Sequence, residues 1–379
     1  MENREWLSRA ECSALRAIAI MGIVLHNFCH WLDIEAKENE YLFRVSNNDG
    51  LWHALTSPDG MLPVSLLSYF GHYGVPVFVF LSGYGLARKY GSTPDLPVLG
   101  FIRHHYMKLF GMLVAGFVAY TLVDAVTPHP FPYRAEYIVA QLLMYINLTE
   151  HPSTFIHPGP YWFFGLMMQL YIIYRLLLHR RGMAVMAALV VVCWAVQAVC
   201  SPESESLRWL RYNSIGSVLP FCAGVLLGRA GKPLGRAGES LKHAGESLKH
   251  AGELPKQAVS LPSFFLNLRR RQWALLCVAA LCVLLPMCFF YQTWFWAPLA
   301  VIVASVAFVK ALPAAVMPAF TWIGGVSAAM FVCHPITRKI FIETSLHRDV
   351  YAGLLLYIVS TVAVSWLFSK LLAKIDIKG

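Results

Sequence analysis

The sequence predicts an all-α, polytopic membrane protein with about ten transmembrane helices. Of its 379 residues, 57% are hydrophobic and only 14% are charged. The apolar residues are grouped in blocks of about twenty, the length at which an α-helix crosses the hydrocarbon core of a bilayer. Within lipid, only α-helices and closed β-barrels satisfy the backbone, and these blocks are much longer than barrel strands.

The predicted spans follow one another along a single transmembrane domain that occupies residues 1–379. They cover residues 13–32, 62–86, 107–127, 161–178, 183–200, 213–229, 272–290, 294–311, 320–341 and 351–373. A further apolar segment at 137–149 is too short and too mixed in composition to cross the membrane. We predict that this segment lies at the interface or is re-entrant.

The basic residues predict the orientation of the helices. If the spans alternate in direction, the connections richest in Lys and Arg and the C-terminus all fall on one side. The positive-inside rule makes that side cytoplasmic and predicts that both termini lie there. The acidic stretch at 33–40 falls on the opposite side, where Arg208 and Arg211 are minor exceptions. The net charge of +10 therefore reflects topology, and we expect no nucleic-acid partner.

An insert of low complexity separates the sixth and seventh spans. The heptad Ala237–His243 is repeated at Ala244–His250 and decays from Ala251 onward. Balanced charge, glycine and one leucine per repeat cannot build a hydrophobic core. We predict a solvated cytoplasmic loop over residues 230–271, with partner binding as the alternative.

The nine cysteines show no pattern that is typical of a metal site. No two of them are spaced as a CxxC pair, and most lie inside predicted spans. Buried, isolated cysteines usually act as small packing residues. We therefore expect no bound metal.

Ionisable residues inside the first span are the first candidates for chemistry. Arg16 and His26 are ten residues apart, which places them about 15 Å apart along a helix and roughly 80° apart around it. A charged side chain at the centre of a bilayer costs roughly 2.5–3.5 kcal/mol and usually marks function. His30 lies one turn beyond His26 on the same face. The alternatives are a buried, hydrogen-bonded histidine and an Arg16 that only anchors the helix.

Two further motifs lie around the second and third spans. Ser82 belongs to the small-residue segment Gly74–Leu86, which is typical of either close helix packing or a serine hydrogen bond. Arg103, His105 and Lys108 form a basic cluster at the predicted inner face. Such a cluster can bind the phosphates of an anionic cofactor, although the positive-inside rule also accounts for it.

Two more motifs occur later in the chain. Trp162 lies in an aromatic run that opens the fourth span, where interfacial aromatic residues are common. His334 is an intramembrane histidine in the ninth span, directly before Pro335. It is either functional or hydrogen-bonded to carbonyl groups that the proline frees.

Taken in order, these motifs resemble those of acyltransferase family 3, which includes O-acetyltransferases of bacterial surface glycans. The resemblance extends over nearly the whole chain. The matching residues are Arg16 to His26, Gly74 to Gly83, the cluster Arg103, His105 and Lys108, Trp162-Phe163 with Gln169 and Tyr171, and Ser327 with Phe331 and His334.

The resemblance implies a membrane enzyme of the bacterial cytoplasmic (inner) membrane. It would move an acyl group, usually acetyl from acetyl-CoA, to a hydroxyl of a glycan or lipid-linked sugar. His26 and Arg16 would be catalytic, with His26 as general base or as carrier of the acyl group. The basic cluster Arg103, His105 and Lys108 would bind the acyl-CoA phosphates. The acceptor would be bound by Ser82, His334, Trp162 and His30.

The chain departs from the family pattern in three places. The step from Arg16 to His26 is ten residues where eleven is usual, so a π-bulge, an unwound turn of the helix or a role for His30 is expected. The basic cluster has His105 and Lys108 in place of arginines, and Phe331 replaces a tyrosine. A transporter or flippase with a charged pathway is the alternative function, and a receptor is a weaker one.

Overall fold

The described part of the protein is entirely helical. The computed structural model describes residues 6–230, 268–347 and 349–374, and those residues contain no β-strand. The all-α prediction is therefore confirmed. The predicted loop at 230–271 falls almost wholly outside the described residues, and so does its repeat.

The α-helices are numbered here in chain order. They are α1 (Arg9–Cys29), α2 (Val45–Thr56), α3 (Leu62–Phe70), α4 (Gly74–Tyr90), α5 (Val98–Val126), α6 (Ala135–Leu142), α7 (Pro152–Phe155), α8 (Trp162–Ile173), α9 (Met183–Ala198), α10 (Glu205–Tyr212), α11 (Val218–Ala230), α12 (Arg270–Met287), α13 (Tyr291–Trp294), α14 (Ala297–Ala311), α15 (Met317–His347) and α16 (Val350–Lys374). Short 3₁₀ turns join several of them, and a π-helical turn at Tyr174–Leu178 extends α8.

The predicted count of ten spans is not confirmed. Seven helical segments among the described residues are long and apolar enough to cross a membrane. An eighth span would be the pair Glu205–Tyr212 and Ser214–Ala230, which is bent by 67°. Helices α9 and α14 have 16 and 15 residues, about 24 and 22 Å, which is shorter than the hydrocarbon core of about 30 Å. The orientation with both termini in the cytoplasm stays a prediction.

The third span begins earlier than the sequence predicted. Helix α5 starts at Val98 rather than at residue 107, directly after Pro97. Its first three turns carry the basic cluster, whose low hydropathy sets this part of the helix apart from the apolar block that follows. The cluster is therefore helical, and its residues are fixed relative to the rest of α5.

Helix α1 packs tightly against its neighbours because glycines let backbones approach. A Cβ atom built on Gly71 would lie 2.6 Å from the Cβ of His26. One built on Gly74 would lie 2.2 Å from the carbonyl oxygen of Ala19. Helix α1 itself is regular, with no π-bulge from Arg9 to Cys29. No distortion of α1 therefore compensates for the ten-residue step from Arg16 to His26. Asn27 rather than His26 lies eleven residues after Arg16.

Candidate functional site

A cavity of about 470 Å³ lies beside the C-terminal end of α1. The connection after α1, the segment between α5 and α8, and helix α15 form its walls. Its polar lining includes His26, Asn27, His30, Glu38, Glu40, His72, His157, Arg338 and Lys339. Its aromatic lining includes Trp31, Tyr41, Tyr120, Phe131, Trp162, Phe163, Tyr212 and Phe331. A cavity that combines aromatic walls with convergent polar groups is typical of a small-molecule site.

His26 is buried in this wall with a fixed orientation. Its side chain is 3% exposed, and its Nδ1 lies 2.8 Å from the carbonyl oxygen of Ser68. A carbonyl oxygen only accepts hydrogen bonds, so Nδ1 carries the proton of the neutral ring. Nε2 then keeps its lone pair, which a general base requires. The close approach to α1 of Gly71, in the turn directly after α3, brings the Ser68 carbonyl within reach.

His30 and Glu38 form a pair next to His26. The rings of His26 and His30 have centroids 4.8 Å apart. His30 Nδ1 lies 3.3 Å from Glu38 Oε1, while Glu38 Oε2 is buried without a partner. Burial opposes ionisation of Glu38, but the hydrogen bond to His30 outweighs burial and lowers the Glu38 pKa to about 2. A permanent negative charge therefore lies close to both imidazoles.

Glu40 contributes a second carboxyl group, whose pKa is shifted in the opposite direction to that of Glu38. Burial and the negative charge of Glu38 raise the Glu40 pKa to about 8. Its backbone carbonyl accepts a hydrogen bond from Arg211 Nε at 2.7 Å, which holds this part of the chain in place. At neutral pH, Glu40 is mostly a neutral acid that can donate a hydrogen bond.

Three more histidines, His72, His129 and His157, line the cavity. The ring of His72 lies 5.7 Å from that of His26, and its Nδ1 is buried without a hydrogen-bond partner. His157 stacks on Phe131 with ring centroids 4.1 Å apart, and its Nε2 lies 2.9 Å from the Tyr120 hydroxyl. Burial lowers the His157 pKa to about 4, so this ring is neutral at neutral pH.

Helix α15 supplies two cations to the cavity. Arg338 is 9% exposed, and its Nη1 donates to the side-chain oxygen of Asn27 at 3.2 Å. The next residue, Lys339, forms an ion pair with the fully buried Asp124 at 3.0 Å. The two basic side chains thus differ in their partners, because Lys339 pairs with an acidic group and Arg338 bonds a neutral amide.

One group of side chains in the described residues could supply metal ligands. The ligand atoms of His26, His30 and Glu38 lie within 4.8 Å of one another. Two of the three are already hydrogen-bonded to each other, and His26 bonds Ser68. The same arrangement can also move protons. The expectation that the protein binds no metal stays a prediction.

The predicted cofactor-binding cluster lies far from this cavity. His105 is buried, with ring centroids 4.4 Å from those of both Phe101 and Tyr171. Arg103 and Lys108 are exposed. Fifteen residues, or about 22 Å of helix, separate His105 from Tyr120, which lines the cavity. The cluster therefore belongs to the other end of α5.

The structure divides the other predicted site residues between the cavity and its surroundings. Trp162 lines the cavity with His26 and His30. Ser82 and His334 are not part of the lining. Ser82 forms a hydrogen bond with Tyr171 on the side of the basic cluster. His334 is fully buried, with Nδ1 3.1 Å from the carbonyl oxygen of Met330 one turn earlier.

Arg16 is exposed and does not line the cavity. Eleven residues separate it from Asn27, which lines the cavity. This spacing turns the two residues about 20° apart around the helix and separates them by about 16 Å along it. Arg16 thus points in nearly the same direction as Asn27, but from much closer to the N-terminus of α1.

Comparison with known proteins decides the family. A family model described as an acyltransferase domain matches residues 10–370, nearly the whole chain. The chain belongs to the acyltransferase 3 family. Family membership confirms the resemblance of the motifs and, with the apolar helices, supports a membrane acyltransferase. No curated protein and no solved structure matches the chain.

Several cavity residues of this acyltransferase 3 protein were not identified from the sequence. They are Glu38, Glu40, His72, His157 and Arg338. Most lie in connections or short turns, where no periodic pattern predicts the direction of a side chain. Arg338 had a usable signal, because it lies one turn after His334 and is an intramembrane arginine.

Proposed function

We propose that this protein transfers an acyl group from acyl-CoA to a hydroxyl group of a glycan or lipid-linked sugar, and that the acyl group is acetyl. The observation that carries the proposal is the orientation of His26. Its Nδ1 bonds Ser68, and its Nε2 is left for proton transfer in a wall of the cavity. The donor would bind from the cytoplasm, and the membrane would be the bacterial cytoplasmic (inner) membrane.

His26 acts as the general base in this proposal. The acceptor hydroxyl gives its proton to Nε2 while its oxygen attacks the thioester carbonyl carbon. The tetrahedral intermediate then collapses, the carbon–sulfur bond breaks, and the CoA thiolate takes the proton from Nε2. Positioned proton transfer of this kind contributes roughly 10²–10⁴-fold to the rate.

The Glu38 carboxylate, which is hydrogen-bonded to His30, supports the charge that forms on His26. His26 becomes an imidazolium when it accepts the proton, and the Glu38 carboxylate carries a negative charge on the His30 side. An opposite charge nearby stabilises the protonated ring. The alternative is that His26 Nε2 attacks the thioester itself and carries the acyl group between two steps.

The donor enters from the opposite end of the helices. Arg103 and Lys108 are exposed at the N-terminal end of α5 and can pair with the CoA phosphates. His105 contributes through the aromatic cluster that it joins with Phe101. Arg16 lies between that end and His26 along α1.

The acceptor occupies the cavity. Trp162 and Tyr41 present edge-to-face rings with centroids 5.6 Å apart, and both line the space next to His26. Aromatic walls suit the apolar faces of a sugar ring, and the polar lining can orient its hydroxyls. Ser82 and His334 would assist from outside the lining by holding the surrounding helices.

The donor and acceptor assignments are tested separately. In membranes, replacing both Arg103 and Lys108 by glutamine should raise the KM for acetyl-CoA roughly tenfold because charge-assisted contacts are lost. The matched control is Lys370→Gln, an exposed lysine on α16. Unchanged KM in the double variant contradicts the donor site.

Mass spectrometry of surface glycans from a strain lacking the protein should show loss of an acyl group.

A further inference from the structure

We propose that Arg338 is the binding site for an anionic group of the acceptor, a carboxylate or a phosphate. The inference rests on the proposed function, because it names the chemical class of the molecule that is acylated. It depends on the geometry around Arg338 and on the charge state of the other groups in the cavity.

Arg338 is a buried cation whose contacts are all neutral. Its Nη1 donates to the side-chain and backbone oxygens of Asn27 at 3.2 and 3.4 Å. Its guanidinium carbon lies 5.0 Å from the centroid of the Trp31 ring. Among the described residues, no carboxylate oxygen lies within 4.0 Å of a guanidinium nitrogen of Arg338. Its Nε and Nη2 donate no hydrogen bond to any described residue.

The carboxyl groups near Arg338 are already paired or neutral. Glu38 is hydrogen-bonded to His30, and Asp124 pairs with Lys339. Glu40 is held mostly protonated by burial and by the charge of Glu38. None of these described acidic residues therefore forms an ion pair with Arg338 that an incoming anion would have to displace.

A buried charge without a counter-ion is expensive, and a ligand that supplies the counter-ion removes that cost. The planar guanidinium matches a carboxylate or phosphate in a bidentate manner. Asn27 holds Nη1 of the group, and Arg338 lines the cavity. Since Asn27 follows His26 directly in α1, an anion on Arg338 lies next to the base that activates the acceptor hydroxyl.

The carboxylate and the phosphate have different sources, which three probes separate. Octyl glucuronide carries a sugar carboxylate, a glucosyl lipid phosphate carries the phosphate of a lipid carrier, and octyl glucoside is neutral. Binding of each to the purified protein in nanodiscs is measured by calorimetry, which needs no catalysis. We expect at least one charged probe to bind roughly tenfold tighter than octyl glucoside. The tighter of the two charged probes identifies the source.

Variants of Arg338 decide whether this side chain produces the preference. Arg338→Gln should bring the charged and neutral probes to similar affinities, and Arg338→Lys should retain part of the difference. The control is Arg134→Gln, an exposed arginine at the start of α6 that pairs with Glu136 and does not line the cavity. It should keep the full preference. Thermal unfolding of each variant confirms that it is folded.

Two results would overturn the proposal. One is a wild-type protein that binds neither charged probe more tightly than the neutral one. The other is an Arg338→Gln variant that is folded and keeps the preference. In transfer assays, Arg338→Gln should raise KM for the charged acceptor more than it lowers kcat. A loss of kcat that is equal for all acceptors would instead make Arg338 a transition-state group. Absent transfer with intact selective binding would contradict the proposed function alone.

Discussion

The Nδ1 atom of His26 lies 2.8 Å from the carbonyl oxygen of Ser68, forty-two residues later in the chain. This bond fixes both the tautomer and the direction of the imidazole, because a carbonyl can only accept. It is formed where α3 and the turn after it meet α1. The catalytic proposal depends on this contact more than on any other.

Gly71 is the position at which this contact can be disturbed without changing a polar group. A Cβ at Gly71 would lie 2.6 Å from both the His26 Cβ and the Gly22 carbonyl oxygen. We expect Gly71→Ala to destabilise the protein by roughly 1–3 kcal/mol and to reduce acyl transfer, since α1 must move away. Thermal unfolding and transfer assays on the same preparation measure both effects.

The matched control for Gly71 is Gly111→Ala on α5, where a Cβ would meet nothing within 4 Å. It should leave transfer at the wild-type rate. If Gly71→Ala is as stable and as active as Gly111→Ala, the packing of His26 against the turn is not what holds the imidazole.

Glu38 is expected to support acyl transfer through its negative charge, which stabilises the protonated His26 ring. Because its pKa is lowered to about 2, it is ionised throughout the range in which the enzyme can be assayed. Glu38→Gln keeps the shape but removes the charge, and should reduce kcat by roughly tenfold or more while KM for acyl-CoA changes little. Glu35→Gln is the control, since Glu35 is exposed and pairs with His53 at the surface. An equal kcat in both variants would rule out a role for the Glu38 charge.

Much of the fold follows from the sequence because apolar blocks of helical length have few alternatives in lipid. The family resemblance, the all-α class and the position of His26 in the first span were all predicted. The predicted count of ten spans is not confirmed, because length and composition alone do not show whether the short helices α9 and α14 cross the membrane. Helix length, and the bend before α11, depend on packing that the sequence does not display.

The candidate site was predicted only in part. His26, His30 and Trp162 are brought together at the cavity, whereas Ser82 and His334 lie outside its lining. Glu38 and Glu40 reach the cavity because the connection after α1 folds back over the helix end. A connection has no period from which side-chain direction can be derived, so this closure could not be predicted.

Glu40 should make stability depend on pH. Its pKa is raised to about 8 in the folded protein, so the folded state binds more protons than the unfolded state between about pH 5 and pH 8. Stability contributed by this group therefore falls as pH rises through that interval. Glu40→Gln is neutral at every pH and should show a smaller decline in unfolding temperature.

The pH experiment compares wild type, Glu40→Gln and the exposed Glu203→Gln in the same detergent. Glu203 pairs with Arg44 at the surface and should follow the wild-type curve. A Glu40→Gln protein that loses stability as steeply as the wild type would show that Glu40 is not the group responsible.

The most direct test of the central claim is the rate of acetyl transfer from radiolabelled acetyl-CoA in membranes that contain each histidine variant. His26→Ala should lower the rate by roughly 10²–10⁴-fold, whereas the exposed His53→Ala should not change it. His30→Ala should lower the rate by an intermediate factor, because Glu38 loses its hydrogen-bond partner. Transfer at the wild-type rate in His26→Ala would contradict the account.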